Sequence, residues 1–468
     1  MPDSVEQGVN KLRDAERRLV PAPDDISARS SRWKIQSVPR ILRSHSNLDK
    51  YFEPRVLAMG PIHHDKCIEA EKLKYTLAAD FVKDSGCTYD QLYKQILARI
   101  AEIKDCYDNE ATKCYDDDET LAWMLFIDGC STLQFMHKID HLEEFGMNRT
   151  QAAFARLDLF LLENQLPYQL LELLMSSCPH KRQLFSSIQK FVEMQIIAAE
   201  NPLDRLEREK QEKLLKIRAH ARDIRAASLF KEAGNTHLPF HNPRPTHHLP
   251  DYGHPTYHLL DFLRERMLGP LPKVPNDDDR KEDNSPSFRN AQELKAAGVH
   301  FRRSKTSSLW DISFTSIGFV GFLNLPPINE DAMSLFLNLI AFEMCPDFLN
   351  NFGVTSYFSF LSSIIAHPDD AKQLRSARIL CNLRGSDEAL ANLFHEIGPD
   401  LVLAHPMYNF INAKLEEHYK TKWKTWFAQF FEDHFSSPWV ILAFIGALIV
   451  LVLSGIQTWY TVLSFYQK

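Results

Sequence analysis

Two short stretches of the sequence carry the residue types that acid–base or metal chemistry needs. The first is GPIHHD, from Gly60 to Asp65, which places two imidazoles beside a carboxylate, the donors that a divalent ion prefers. Neighbouring side chains on a helix point about 100° apart, so His63 and His64 are poorly placed to chelate one ion together. We therefore predict no metal here, although His63, His64 and Asp65 stay candidates for an undescribed enzyme.

The second stretch is DLFLLENQLPYQLLELL, where Glu163, Asn164 and Gln165 interrupt a hydrophobic helical pattern. Pro167 removes the backbone donor that would have bonded the carbonyl of Glu163. Buried polar groups need partners, so these residues predict a structural hydrogen-bond node that links helices. A catalytic carboxylate at Glu163 is the alternative interpretation.

A further polar group stands in the apolar segment WMLFIDGCSTLQFM, at Asp128, Gly129 and Cys130. A thiol in apolar surroundings has a raised pKa and is a poor nucleophile, and the sequence identifies no partner histidine for it. We interpret Cys130 as a packing residue. No catalytic or cofactor-binding residue is predicted anywhere in the chain.

Composition and motifs narrow the function classes. The sequence has no Walker phosphate loop, no GxGxxG, no GxSxG, no HExxH and no kinase signature set, which argues against familiar hydrolases and nucleotide enzymes. A net charge of −7 argues against a nucleic-acid partner. The eight cysteines include no CxxC pair, so neither a zinc ribbon nor a disulfide scaffold is indicated, and no cofactor is predicted.

The elements that position these residues are mostly helical. Apolar residues at three- and four-residue spacing predict helices in four segments, which are Cys67 to Lys83, Tyr89 to Tyr107, Glu119 to Phe145 and Thr150 to Met175. The segment NAQELKAAGVHFRR predicts a helix that ends at Gly298 and leads into a strand. Leu309 to Ser316 and Gly318 to Leu325 alternate as two more short strands do. The predicted fold class is mainly α (α+β), an α-helical body with a small antiparallel β element.

The C-terminal segment WVILAFIGALIVLVLSGIQTWY predicts one transmembrane helix. Its 20 steps from Trp439 to Trp459 climb about 30 Å, the thickness of a hydrocarbon core. Trp439, Trp459 and Tyr460 are typical of interfacial anchors. We expect a tail-anchored, single-pass protein that contacts a membrane through this helix.

The charges that flank this segment predict its orientation. Lys420, Lys422 and Lys424 precede it and only Lys468 follows, so the positive-inside rule places the body in the cytosol. Scattered cysteines agree with a reducing compartment. The plasma membrane and an endomembrane both stay open as the location.

Six regions are predicted along the chain. They are a disordered N-terminus (1–32), a helical lobe (33–268), a flexible linker or insertion (269–290), a second lobe with the small β element and helices (291–435), the transmembrane anchor (436–462) and a short tail (463–468). Within the first lobe we expect a charged helix from Leu203 to Lys231, followed by a loop rich in proline and histidine.

Several segments, taken in order, resemble a plant family known as domain of unknown function 247. The matching segments are Val38-Pro39, GPIHH at 60–64 with Gly60 and Pro61, Asp128-Gly129-Cys130, LLENQLP at 161–167, HLLDFLR at 258–264, AQELKAAGVHF at 291–301, NLIAFE at 338–343 and VTSY at 354–357. Ser131 and Ile62 depart from the pattern, since an aromatic residue often stands at each of these positions. The likeness runs from about Trp33 to Tyr466.

The resemblance implies a plant membrane protein without an established enzymatic activity. Some members of the family lie at grass self-incompatibility loci, where they are thought to act as recognition determinants in pollen. We therefore expect a recognition or signalling component that works through protein–protein contacts. The alternatives are an undescribed enzyme that uses Glu163 or the cluster of His63, His64 and Asp65, and a membrane-surface or lipid-binding scaffold.

Overall fold

The computed structural model describes eleven stretches of the chain. They are residues 33–64, 66–115, 117–199, 257–270, 289–318, 320–329, 332–348, 352–381, 386–401, 406–420 and 438–466. The predicted disordered N-terminus, the predicted charged helix, the loop rich in proline and histidine up to residue 256, and residues 271–288 of the predicted linker lie outside these stretches.

The described residues are mostly helical, with small sheets. The α-helices are α1 (Arg40–Arg43), α2 (Gly60–His63), α3 (Ile68–Ser85), α4 (Tyr89–Ala98), α5 (Ile100–Lys104), α6 (Asp118–His137), α7 (Arg149–Asp158), α8 (Tyr168–Ser176), α9 (Lys181–Ala199), α10 (Leu259–Leu268), α11 (Ala291–Ala296), α12 (Met333–Glu343), α13 (Gly353–Ile364), α14 (Pro368–Ser376), α15 (Asp387–Ile397), α16 (Pro406–Lys420) and α17 (Pro438–Tyr466). The strands are β1 (Val299–Arg303), β2 (Ser313–Ile317), β3 (Val320–Leu325), β4 (Ile328–Asn329) and β5 (Leu380–Cys381).

The chain divides into two compact units, each assembled from separate stretches. The first unit comprises Met1–Met194, His237–Arg264 and Ser334–Asn350. The second comprises Gln195–Thr236, Glu265–Met333 and Asn351–Lys468. The six regions predicted from the sequence are a different division of the chain and stay a prediction.

The first unit is built around α6, which is buried on nearly all sides from Leu121 to Met136. A helix that is apolar all round belongs in the centre of a core, and α6 packs against α3, α4 and α8. The sequence sets where these helices begin. Asp117 accepts the Thr120 N–H at the start of α6, and Thr88 forms a capping box with Gln91 at the start of α4.

The predicted continuous helix from Thr150 to Met175 is wrong, because the chain breaks between α7 and α8. A single 3₁₀ turn, Leu162–Asn164, occupies the break. The amides of Asn164 and Gln165 bond backbone carbonyls of the preceding turn, which competes with helix formation. Pro167 then starts α8 without needing an N–H partner.

In the second unit the small β element is a mixed sheet with the order β1-β3-β2. The predicted antiparallel pairing is correct for β2 and β3, which a turn at Gly318 joins. It is wrong for β1, which pairs parallel to β3 from Val299 opposite Gly321 onwards. Parallel pairing follows because the chain crosses over between β1 and β3 and places β2 on the far side of β3. Strands β4 and β5 form a separate parallel pair.

The predicted transmembrane anchor is contradicted. The segment does form a helix, α17, but among the residues that the structure describes no helix combines the length and the apolar character that a membrane crossing requires. The roles of interfacial anchors predicted for Trp439, Trp459 and Tyr460 depend on a membrane span, so they are not supported either.

Close packing between α6 and α8 yields a first prediction. A Cβ atom added at Gly129 would lie 2.7 Å from Cδ1 of Leu174, a side chain that is itself buried. We expect Gly129→Val to lower the free energy of unfolding by about 2 kcal/mol, because overpacking a dense core forces its neighbours to shift.

Urea denaturation of the full chain measures this loss. Ala79→Val is the matched control, since it adds methyl groups at an exposed position of α3 and should cost no more than about 0.5 kcal/mol. Equal midpoints for the two variants would show that Gly129 is not held against Leu174.

Candidate functional site

The polar residues that the sequence singled out converge in the core of the first unit. At the centre, the Lys74 ammonium lies 2.8 Å from Asp128 Oδ1, and both side chains are 1% exposed. Lys74 also donates to the carbonyl of Ala58, and Asp128 Oδ2 accepts the N–H of Gly60. Burial disfavours the ammonium, but the Asp128 carboxylate outweighs it and raises the pKa of Lys74. Burial also raises the pKa of Asp128, against the attraction of Lys74. The pair joins α3 and α6 to the start of α2.

Gly60 is required where it stands. Its φ of +72° lies in the left-handed region that favours glycine. A Cβ atom there would also approach the carbonyl oxygen of Gln165 to 3.2 Å. The GPIHH segment and the ENQ segment therefore lie against each other, which their separation in the sequence does not reveal.

Asp158, at the end of α7, holds the chain that leads into α2. Its carboxylate accepts the backbone N–H groups of Arg55, Val56 and Leu57 at 2.7 to 3.1 Å. Burial outweighs these hydrogen bonds and raises the pKa of Asp158. A carboxylate whose oxygens are committed to backbone donors positions a loop and has little freedom to transfer protons.

Asn164 and Gln165 satisfy backbone groups from several segments. Asn164 Oδ1 accepts the N–H of Met59, and its Nδ2 donates to the carbonyls of Leu57 and Asp158. Gln165 Nε2 donates to two carbonyls in its own turn, while its Oε1 accepts the N–H of Leu260 at 2.9 Å. These contacts are those of a hydrogen-bond node, which is the role predicted for the segment.

Glu163 connects the same turn to the region around Val38 and Pro39. Oε1 accepts the Val38 N–H at 2.8 Å, and Oε2 accepts from Arg43 Nη2 at 2.6 Å. Burial alone would raise the pKa of Glu163, but His63, the Val38 N–H and Arg43 together lower it below its ordinary value. Glu163 is thus an ionised carboxylate with both oxygens in use.

His63 is brought to Glu163 and Glu53, not to the two residues beside it in the sequence. The ligating atoms of Glu53, His63 and Glu163 all lie within 4.8 Å of one another, close enough for one metal ion to contact all three. The His64 ring instead lies 6.1 Å from that of Tyr115. Asp65 lies outside the described residues.

Cys130 is fully buried in α6. Burial raises the pKa of its thiol well above the ordinary value, so the reactive thiolate form is suppressed. This environment suits the packing role that the sequence predicted.

Sequence reasoning missed the charged partners of these residues. Lys74 is the clearest case, because it stands on the buried face of α3 among Ala70, Leu77, Ala78 and Phe81, where a lysine breaks the apolar pattern. Arg43 and Glu53 carry no comparable signal. A second buried ion pair joins Arg264 to Glu343 at 2.6 Å, with side chains 3% and 0% exposed.

His258 is a further buried group that the sequence did not single out. Its ring packs edge-on against Phe342, and Nδ1 accepts the N–H of Asp261 in the first turn of α10. Burial lowers the pKa of His258 to about 3. The imidazole is therefore neutral in the folded chain at all but strongly acidic pH.

Comparisons with known proteins place the chain among plant proteins. The family model described as plant protein of unknown function matches residues 35–453. The UPF0481 protein At3g47200 of Arabidopsis thaliana is 26% identical over 441 residues, which covers 89% of this chain and 84% of the relative. The putative UPF0481 protein At3g02645 of the same plant is 26% identical over 187 residues, 38% of this chain and 34% of the relative. No solved structure matches.

The buried His258 predicts a defined acid sensitivity. Its pKa falls from 6.5 to about 3 on folding. Between these two pH values the imidazole binds a proton in the unfolded chain but not in the folded chain. Stability from this group is present above pH 6.5 and is lost as the pH falls toward 3. Because Asn also serves as a helix N-cap acceptor, His258→Asn should keep the bond to Asp261 and lose the titration.

We expect the free energy of unfolding of the wild-type chain to fall by about 2 kcal/mol more than that of His258→Asn between pH 6 and pH 4. Denaturation curves across this range measure the difference. His141→Asn is the control, because it makes the same substitution at an imidazole that is 66% exposed. If the free energy of unfolding of the wild-type chain and of His258→Asn changes equally with pH, the lowered pKa of His258 is refuted.

Proposed function

The chain belongs to the plant family known as domain of unknown function 247, and we propose that within it the protein is a recognition component that acts through protein–protein contacts. The observation that carries this proposal is an aromatic face on the first unit, formed by Tyr75, Tyr93 and Trp123. These side chains come from three helices, α3, α4 and α6. The aromatic face is thus a property of the folded core.

The three side chains hold one another in place at the surface. Trp123 Nε1 donates to the Tyr75 hydroxyl at 3.4 Å, and the Trp123 and Tyr93 rings pack edge-on with centroids 5.6 Å apart. Trp123 is nevertheless 42% exposed and Tyr75 is 49% exposed. Large aromatic side chains that are fixed before binding lose little conformational entropy, which is why Trp and Tyr dominate binding hot spots.

Charged side chains surround this face, as at the rim of an interface. Lys72 is exposed one turn from Tyr75, and Lys94 pairs with Asp90 beside Tyr93. An aromatic centre with a polar rim is the usual anatomy of a protein–protein interface. A protein partner therefore suits this surface better than a small-molecule substrate.

The buried polar network supports a non-catalytic role. Glu163 is engaged by Val38 and Arg43, and Asp158 by three backbone N–H groups. A general base must have an oxygen that can take a proton from a substrate. These carboxylates instead fix the positions of chain segments.

We also propose that the protein works in a reducing compartment, as the cytosolic prediction requires. None of the eight cysteines, all of which lie among the described residues, forms a disulfide, and Cys130, Cys178, Cys345 and Cys381 are buried. Thiols outside disulfides are usual where glutathione and thioredoxin keep cysteines reduced. Labelling free thiols in protein extracted under alkylating conditions tests this point.

The aromatic face is tested by site-specific photo-crosslinking in plant cells. A photo-reactive phenylalanine analogue at position 123 should cross-link a discrete protein partner. The Trp123→Ala variant, made without the analogue, should capture at least tenfold less of that partner than the wild-type chain. Truncating a central Trp costs about 2 kcal/mol or more of binding free energy. Ile41→Ala is the control, since Ile41 is 46% exposed elsewhere in the first unit.

Two results would count against the proposal. Equal capture of the partner by Trp123→Ala and Ile41→Ala would show that the aromatic face does not contribute to recognition. A folded Glu163→Gln variant that still captures the partner yet loses its cellular phenotype would favour the enzyme alternative.

A further inference from the structure

We propose that Glu53, His63 and Glu163 form a binding site for one divalent transition-metal ion of the Zn²⁺ type. One imidazole and two carboxylates are a donor set that such ions accept. The three ligating atoms lie within 4.8 Å of one another, and the two buried donors, His63 and Glu163, are 0% and 5% exposed. The inference goes beyond protein recognition and does not depend on it.

The orientation of His63 is the first argument. Its Nδ1 lies 3.0 Å from Asn164 Oδ1. The amide orientation of Asn164 is fixed, because its Nδ2 donates to two carbonyls and its Oδ1 accepts the Met59 N–H. Nδ1 must therefore carry a proton and donate it. In the neutral ring this leaves Nε2 with a lone pair, the arrangement in which a second-shell acceptor orients a metal-ligating histidine.

The surroundings of His63 Nε2 are the second argument. This nitrogen is buried and has no hydrogen-bond partner. It lies 2.8 Å from Glu163 Oε2 and 4.0 Å from Glu53 Oε2, but the approach to Glu163 lacks the alignment of a hydrogen bond. A lone pair this close to a carboxylate is repelled unless positive charge lies between them, and either a second ring proton or a shared cation supplies such charge. Two carboxylates that face one imidazole nitrogen, on a ring already oriented through its other nitrogen by Asn164, are the arrangement that suits a divalent cation.

Each carboxylate also has one oxygen held and one directed to the cluster. Glu163 Oε1 is held by the Val38 N–H, and Glu53 Oε1 is held by Arg43 Nη1 at 2.7 Å. The other oxygen of each residue, Oε2, is the one nearest His63 Nε2 and also accepts from a basic side chain. Ligands fixed in this way lose little freedom when an ion binds.

Two basic side chains compete for the same oxygens. Lys66 Nζ lies 2.5 Å from Glu53 Oε2, and Arg43 Nη2 lies 2.6 Å from Glu163 Oε2. Lys66 is 43% exposed and can turn into solvent, whereas Arg43 is 26% exposed and also bonds Glu53. We therefore assign Lys66 as the group that an entering ion displaces. The full site would join α2, the 3₁₀ turn at Leu162–Asn164 and the segment at Glu53.

Zinc titration of the purified full-length chain, after removal of metal with a chelator, tests the site. We expect one Zn²⁺ per chain in calorimetry, and Co²⁺ in its place should give visible ligand-field absorption. Glu53→Gln should weaken Zn²⁺ binding at least tenfold, since it removes a ligand at the edge of the cluster. Lys66→Gln should strengthen binding several-fold, because it removes the competitor, and a purely structural cluster would not show this gain.

Two controls separate this site from incidental metal binding. His64→Gln removes a neighbouring imidazole that is not in the cluster and should leave affinity unchanged. The double variant His247→Gln, His248→Gln does the same for the histidine-rich sequence between residues 237 and 258.

Circular dichroism establishes that each variant is folded, and Glu53→Gln and Lys66→Gln keep the test usable if a His63 variant does not fold. The proposal is overturned if the wild-type chain binds no stoichiometric Zn²⁺. It is also overturned if Glu53→Gln binds as tightly as the wild type, or if only the double histidine variant loses the ion.

Discussion

The first unit depends on satisfying the backbone of one irregular segment inside its core. Between α7 and α8 the chain lacks the regular backbone hydrogen bonds of a helix, so its N–H and C=O groups need other partners. Gln165 caps two of these carbonyls, and Asn338 of α12 accepts the N–H of Leu162 at 2.9 Å. An unsatisfied buried amide costs more than a typical hydrogen bond contributes, so each of these side chains is hard to replace.

The same segment specifies which parts of the chain meet. Its polar side chains bond backbone groups near residues 38, 57, 59 and 260. The buried pairs Lys74–Asp128 and Arg264–Glu343 do the same for four helices. Buried ion pairs contribute little net stability, because desolvation offsets most of the attraction. A wrong arrangement, however, leaves a charge buried alone, and we infer that these pairs select one packing of apolar helices over others.

Part of this architecture could be predicted from the sequence. Apolar spacing located α3, α4 and α6, and polar residues inside apolar runs marked Asp128 and the ENQ turn. The break between α7 and α8 was missed, since it depends on amide side chains that bond their own turn. Arg43, Glu53 and Lys74 could not be paired with their partners, because contacts between distant segments have no local pattern. The direction of β1 and the failure of the C-terminal segment to qualify as a membrane span likewise required the structure.

The first unit is discontinuous, and this has a consequence for biosynthesis. Lys74 and Asp128 both precede residue 195, whereas the partner of Arg264 is Glu343, on the last stretch of the unit. A ribosome must therefore translate the whole of the second unit's 265–333 stretch before the first unit can close. At about 5–20 residues per second, the interval between Arg264 and Glu343 lasts several seconds. During that interval the Glu343 carboxylate that Arg264 bonds in the folded unit has not yet been made, so this part of the core closes only after the inserted stretch has been translated.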